Sequence, residues 1–106
     1  MKGKTFFITG GSRGIGRAVA EIASMQGANI VIADIHPEYC PIYDDHGVTK
    51  EELEKHGGKA LIIKMDQSKP KQVYAAVDKA IKYFGAIDVG CDFVRPVNPS
   101  LFKSIS

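Results

Sequence analysis

The stretch TGGSRGIG, residues 9–16, lies between a short apolar segment and an apolar pattern of a different period. The segment before it, Thr5 to Ile8, is β-branched and aromatic, which predicts a buried strand. After it, apolar residues recur at helical spacing, at Ile15, Ala18, Val19, Ile22 and Ala23. This spacing predicts one buried face of a helix. The glycines therefore form a strand-to-helix turn.

The rest of the chain continues the alternation of strand and helix. Apolar runs predict further strands at residues 30–33, at residues 60–63 and beginning within residues 86–89. Strands that alternate with helices form βαβ units around a parallel sheet. The predicted fold is α/β, a Rossmann-like, doubly wound parallel sheet of about four strands in the order 3-2-1-4. The sheet is incomplete, because nothing periodic follows the fourth strand.

Local signals predict where the helices begin and end. Residues 36–48 carry many breakers and are interpreted as a loop. Thr49 with Glu52 forms a capping box for a short helix. Ser68 is expected to cap a longer helix, and Gly85 is expected to end it.

The glycine turn suits phosphate binding. Unpaired N–H groups at a helix start hold a phosphate, and side chains there would keep it away. Gly10 can make the tight turn, Gly14 can admit a pyrophosphate and Gly16 lets helix and strand pack closely. Asp34, at the end of the second strand, can accept hydrogen bonds from ribose hydroxyls. A plain tight connection and an aspartate that merely begins a loop are the alternatives.

With these residues in place, the sequence resembles the N-terminal half of a short-chain dehydrogenase/reductase. TGGSRGIG is similar to that family's T-G-x-x-x-G-x-G pattern, and the resemblance runs from about Lys4 to Val89. The long proline-bearing loop after the second strand, with GGKAL downstream, is similar to the hydroxysteroid dehydrogenase-like branch. The resemblance implies a set of cofactor-binding residues: Gly10, Ser12, Arg13, Gly14, Ile15, Gly16, Asp34 and Asp66.

The same resemblance bears on the choice of cofactor. It implies that Asp66 contacts the adenine ring and that Asp34 binds the ribose. Asp34 favours NAD, because its carboxylate would repel a 2′-phosphate. Arg13 leaves NADP open, since a basic residue in the glycine loop could pair with that phosphate; a solvated loop charge is the alternative.

The family pattern stops near Gly90. Where members continue with L-V-N-N-A-G, this chain has Gly90 to Arg95 (GCDFVR), and none of its tyrosines has a lysine four residues later. No catalytic residue is therefore assigned, and we expect the chain alone to be inactive. Residues 1–89 are interpreted as a dinucleotide-binding half-domain and residues 90–106 as an irregular tail. The hypotheses for the tail are a frameshift, a retained intron or alternative splicing in the gene of a longer enzyme, or a protein that is genuinely short.

Other classes of function have less support. A non-catalytic module that binds nucleotide, or that associates with a full-length relative through its exposed sheet edge, is the main alternative. A sugar-nucleotide epimerase fits the glycine spacing less well. The net charge of +2 indicates no nucleic-acid partner, no apolar run suits a membrane span, and the scattered His, Cys and Asp residues of the loop predict no metal site. The cysteine usage favours the cytosol, with an organelle left open.

Overall fold

A computed structural model describes residues 2–10, 14–35, 39–40, 45–46 and 49–92. Its elements alternate between strand and helix over most of this length, as the sequence predicts. In chain order they are β1 (Thr5–Thr9), α1 (Gly14–Met25), β2 (Asn29–Asp34), β3 (Tyr39–Cys40), β4 (Asp45–His46), α2 (Lys50–Glu54), β5 (Ala60–Lys64), α3 (Pro70–Phe84) and β6 (Val89–Asp92).

Four parallel strands form the main sheet in the order β5-β2-β1-β6. Numbered among themselves, these strands follow the predicted order 3-2-1-4, so the α/β Rossmann-like prediction is confirmed. The segment interpreted as a loop, residues 36–48, differs in one respect, because β3 and β4 pair antiparallel within it. Two residues per strand are too few to give a periodic signal.

Apolar side chains cover both faces of the sheet, as a parallel sheet requires. Helices α1 and α2 pack on one face, and α3 packs on the other. The first core cluster consists of Phe6, Ile8, Ala20, Ala23, Ala28, Ile30, Ile32, Leu53 and Ala60. The second consists of Phe7, Val31, Ala33, Met65, Val73, Ala76, Val77 and Ala80.

The face that α1 turns to the sheet differs from the prediction. The apolar spacing places Ile15 and Ile22 on the buried face, but they are 71% and 58% exposed. Ala18 is exposed as well, and the buried side of α1 carries Gly16 and Ala20 together with Ala23, which the spacing does place there. Small residues on this side let the helix axis approach the strands closely. A prediction from apolar spacing instead directs the largest apolar side chains toward the sheet.

Two of the three predicted helix ends are confirmed. Thr49 caps α2, since its Oγ1 accepts a hydrogen bond from the Glu52 amide at 3.2 Å. Gly85 ends α3 with a φ of 87°. The predicted Ser68 cap is wrong: α3 begins at Pro70 after Lys69, which makes no side-chain cap. Within the described part of the chain, no helix is long and apolar enough to cross a membrane.

The fourth strand begins within the predicted range and continues past the predicted boundary. β6 starts at Val89, and just ahead of its ladder the Asp88 carboxylate accepts a hydrogen bond from the Thr5 amide at 2.8 Å. Pairing with β1 then runs to Asp92 opposite Thr9. The boundary expected at residue 90 therefore falls inside a strand, while residues 93–106 of the expected tail lie outside the described residues.

Candidate functional site

Gly10 follows β1 directly, at the start of the glycine-rich stretch, whose residues 11–13 lie outside the described residues. Gly10 adopts a φ of +67°, a left-handed conformation that side chains other than glycine adopt at a cost. Its amide donates a hydrogen bond to the Ala33 carbonyl oxygen at 2.9 Å. The chain thus leaves the sheet at the carboxyl end of its central strands and enters α1 at Gly14.

The first turn of α1 lies at this same edge. The first N–H groups of a helix lack partners within the helix and carry the positive end of its dipole. Gly16 is buried in α1, in keeping with close helix–strand packing, while the Ile15 side chain is exposed at the start of the helix. The candidate residues Ser12 and Arg13 lie outside the described residues.

Asp34 is the last residue of β2 and stands one strand away from Gly10. It is only 2% exposed. Its carbonyl oxygen accepts a hydrogen bond from the Met65 amide at 2.8 Å, which continues the ladder between β2 and β5 one residue past the end of β5. The backbone of Asp34 is thereby held at the edge where α1 begins.

Asp66 follows β5 at the same edge and forms a local turn. Its Oδ1 accepts hydrogen bonds from the Ser68 hydroxyl at 2.7 Å and from the Ser68 amide at 3.0 Å. The hydroxyl hydrogen bond, then the amide hydrogen bond and the charge of Lys69 lower the pKa of the Asp66 carboxyl below its ordinary value. Asp66 is therefore an ionised acceptor at neutral pH.

A buried polar link joins β6 to β1, and the sequence analysis does not identify it. Thr9 Oγ1 donates to Asp92 Oδ1 at 2.7 Å, and Gln67 Nε2 donates to Asp92 Oδ2 at 2.7 Å. In the sequence, Asp92 stands out only as a departure from the family's L-V-N-N-A-G. The signal that could have found the link is register, because a fourth strand paired with β1 brings residue 92 opposite Thr9.

Parallel strands bring these separate residues to one edge. The chain leaves β1 toward β2 on one side, while β6 lies on the other side of β1. In open α/β sheets, ligands bind at the carboxyl ends of strands at such a switch point. Gly10, Gly14, Asp34 and Asp66 all lie there, so the arrangement suits an extended ligand with a phosphate and a hydroxyl-bearing sugar.

A pocket lies away from the carboxyl edge of the sheet, and the described residues form no candidate metal site. A surface pocket of about 420 Å³ occupies the opposite, amino edge of the sheet, lined by Lys2, Met25, Gln26, Gly27, His56 and Gly57. Among the residues that the structure describes, no group of three or more His, Cys, Asp or Glu side chains could hold a metal ion. Most of the metal-capable loop, residues 36–46, lies outside them.

Known proteins are similar to this chain in sequence and in fold. Residues 4–90 match the profile of the family described as short chain dehydrogenase. Hydroxysteroid dehydrogenase-like protein 2 of Homo sapiens is 49% identical over 94 residues, which cover 84% of this chain and 22% of that protein. The chain thus spans about a fifth of that relative's length.

Solved structures agree with the sequence match. A short chain dehydrogenase from Mycobacterium thermoresistibile has a TM-score of 0.75 at 38% identity, covering 92% of this chain and 35% of that one. An NAD⁺-bound xylitol dehydrogenase has a TM-score of 0.70 at 25% identity, covering 84% and 32%. The four-stranded half-sheet is therefore an arrangement that larger dehydrogenases contain.

Proposed function

The chain belongs to the short-chain dehydrogenase family, and from that premise we propose that it binds the adenosine and pyrophosphate half of a nicotinamide dinucleotide. Members of this family generally bind NAD or NADP. The observation that carries the proposal is the left-handed Gly10 at the end of β1 with α1 beginning at Gly14. Backbone N–H groups at such a turn hold a pyrophosphate.

The proposed roles of the remaining residues follow the order of the strands. Gly10, Ser12, Arg13, Gly14, Ile15 and Gly16 form the pyrophosphate turn. Asp34 accepts hydrogen bonds from the adenosine ribose, and Asp66 accepts one from the adenine. The positions of Asp34 and Asp66 on neighbouring strand ends support this assignment.

NAD is the proposed preferred cofactor. The carboxylate of Asp34 would repel a 2′-phosphate, and the similar fold of an NAD⁺-bound xylitol dehydrogenase supports the unphosphorylated form. Arg13 supports some binding of NADP. When bound, the nicotinamide ring supplies a hydride acceptor or donor for an alcohol or carbonyl carbon.

We assign no catalytic residue to these 106 residues. Residues 1–89 are proposed as the dinucleotide-binding half-domain, whose sheet β6 continues to Asp92, and the remaining residues to 106 are proposed to lie outside it. Hydride transfer is the proposed activity of longer relatives, whereas this polypeptide alone is expected to give no substrate-dependent formation of NADH. An absorbance assay at the NADH band, with a panel of alcohols, tests this directly.

Isothermal titration with cofactor fragments tests the binding proposal. ADP-ribose should bind with an affinity close to that of NAD, because both present the same adenosine and pyrophosphate groups. Nicotinamide mononucleotide should bind much more weakly. Equal binding of nicotinamide mononucleotide, or no binding of ADP-ribose, would overturn the proposal.

Two glycine variants distinguish an effect of the turn on ligand binding from a general effect of backbone strain on folding. Gly10 and Gly3 both have a positive φ, and Gly3 precedes β1 at the opposite edge of the sheet. Gly10→Ala should weaken binding of ADP-ribose by about tenfold or more, because a changed turn would misplace the N–H groups that hold the pyrophosphate. One lost hydrogen bond to a charged group corresponds to about 1.5–3 kcal/mol. Gly3→Ala should leave the affinity unchanged. Equal losses in both variants would point to misfolding rather than to the turn.

A second candidate function is an interaction module that associates with a longer relative. The supporting observation is that β6 pairs only with β1 within the described residues, which leaves one strand edge without a partner there. Unpaired edges are templates for another strand. Mixing the chain with a full-length relative and measuring the mass of the product by light scattering tests this; separate monomers would contradict it.

A further inference from the structure

Lys64 stands directly beside Asp34 in the sheet. The two residues are register partners at the carboxyl ends of β5 and β2. Neighbouring parallel strands lie about 4.8 Å apart, and paired residues project to the same face. In the preceding pair on that face, Ile32 belongs to the first core cluster and Ile62 packs against it, so Asp34 and Lys64 share the face that α1 covers.

The two side chains differ in exposure. Asp34 is buried, whereas Lys64 is exposed and takes part in no ion pair within the described part of the chain. An ammonium group on a flexible stem is a mobile point charge that suits phosphate. The strand register places Lys64 next to Asp34, to which the proposed function assigns the adenosine ribose.

The charge of Lys64 changes what the ribose site can accept. A carboxylate alone at a strand end disfavours a 2′-phosphate, because the two negative charges repel. An ammonium group one strand away attracts that phosphate and offsets the repulsion. The preference for NAD is inferred from Asp34 alone, without Lys64, its register partner on the neighbouring strand.

Resting on the proposed function, we propose that Lys64 is a specificity-determining residue that pairs with the 2′-phosphate of an NADP-type dinucleotide. The site then accepts both cofactor forms, and Lys64 reduces the preference for NAD that Asp34 gives.

The test compares two ligands on the intact 106-residue chain. Dissociation constants for ADP-ribose and for 2′-phospho-ADP-ribose are measured by titration calorimetry in wild type, Lys64→Gln and Lys59→Gln. Lys59 is the matched control, because it immediately precedes the same strand at the opposite edge, and its side chain is also exposed. Both substitutions remove one positive charge.

We expect Lys64→Gln to weaken binding of 2′-phospho-ADP-ribose by about five- to tenfold, as for a partly exposed charge-assisted hydrogen bond. Its effect on ADP-ribose should be less than about twofold. Lys59→Gln should leave the ratio of the two constants unchanged. Binding of 2′-phospho-ADP-ribose should also weaken with added salt more steeply in wild type than in Lys64→Gln.

The possible results distinguish failure of the Lys64 role from failure of the proposed function. An unchanged ratio in Lys64→Gln, or an equal change in Lys59→Gln, overturns the role of Lys64 while the dinucleotide proposal stands. Wild-type binding of ADP-ribose without binding of 2′-phospho-ADP-ribose also overturns the role of Lys64 alone. If wild type binds neither ligand, the proposed function fails and the role of Lys64 fails with it.

Discussion

At Gly58 the backbone passes too close to the connection between α1 and β2 for any side chain to fit. A Cβ atom there would overlap the Ala28 carbonyl oxygen and lie 2.9 Å from the carbonyl carbon. Backbone atoms in a packed connection cannot move aside without shifting the strands on either side. The glycine therefore fixes the distance between β2 and β5 at their amino ends.

Gly58→Ala is expected to lower the free energy of unfolding by about 1–3 kcal/mol, the usual cost of overpacking. Chemical denaturation with urea measures it. Lys59→Ala is the control, since its exposed side chain should change stability by no more than about 0.5 kcal/mol. A fully stable Gly58→Ala protein would show that the two segments are farther apart than the structure places them.

Ser68 sets the acidity of Asp66. Ser68→Ala removes the hydroxyl hydrogen bond, the largest cause of the lowered pKa, so the pKa of Asp66 should rise toward its ordinary value. The lowered folded-state pKa means that these hydrogen bonds stabilise the fold above the unfolded pKa. That contribution is lost as the pH falls through the folded pKa.

A carboxyl-detected NMR titration of wild type and Ser68→Ala measures the change. The amide chemical shifts of the second half of α3, away from Ser68, should coincide in the two proteins and serve as an internal reference. Coincident Asp66 curves as well would contradict the assigned role of the Ser68 hydroxyl.

Residue-level predictions are right where the cause is local. The Thr49 cap and the Gly85 helix end follow from chemistry within a few positions of the chain. Ser68 does not cap α3, because the helix begins at Pro70 and Lys69 occupies the N-cap position, while the Ser68 hydroxyl donates to Asp66. The cofactor-binding roles of Asp34 and Asp66 remain predictions.

Between elements, the Thr9–Asp92 hydrogen bond ties β6 to the centre of the sheet. A double-mutant cycle of Thr9→Val and Asp92→Ala should give a coupling free energy of about 1–2 kcal/mol, because the bond has a charged acceptor and Thr9 is buried. Urea unfolding of the four proteins measures it. Strictly additive effects would mean that the hydrogen bond does not join the strands in solution.

Element-level prediction is right about strand order and only partly right about the inner face of α1, where Ala23 is buried as predicted but Ile15 and Ile22 are exposed. Alternation of strands and helices, with short connections, leaves few ways to wind a parallel sheet, so the order 3-2-1-4 follows from the pattern. The inner face depends on how near α1 lies to the strands. Gly16, Ala20 and Ala23 permit a close approach that hydrophobicity alone does not reveal.

For the whole molecule, the exposed side of α1 carries Ile15, Ile22 and Met25, each more than half exposed. Apolar surface of this kind favours association. Ile22→Ser should reduce self-association in sedimentation velocity runs at rising concentration, with little loss of stability. Tyr74→Ser, equally exposed on α3, is the matched variant and should have a smaller effect. Identical sedimentation of wild type and Ile22→Ser would show that this side of α1 does not mediate self-association.

The central claim is that the carboxyl edge of the sheet binds the adenosine and pyrophosphate of a dinucleotide. Titration of ¹⁵N-labelled protein with ADP-ribose, followed by amide chemical shifts, tests it most directly. We expect the largest shifts at Gly10, Gly14 to Gly16, Asp34 and Asp66. Shifts concentrated instead around the amino-edge pocket, at Gly27 and Gly57, or no shifts at saturating ligand, would contradict it.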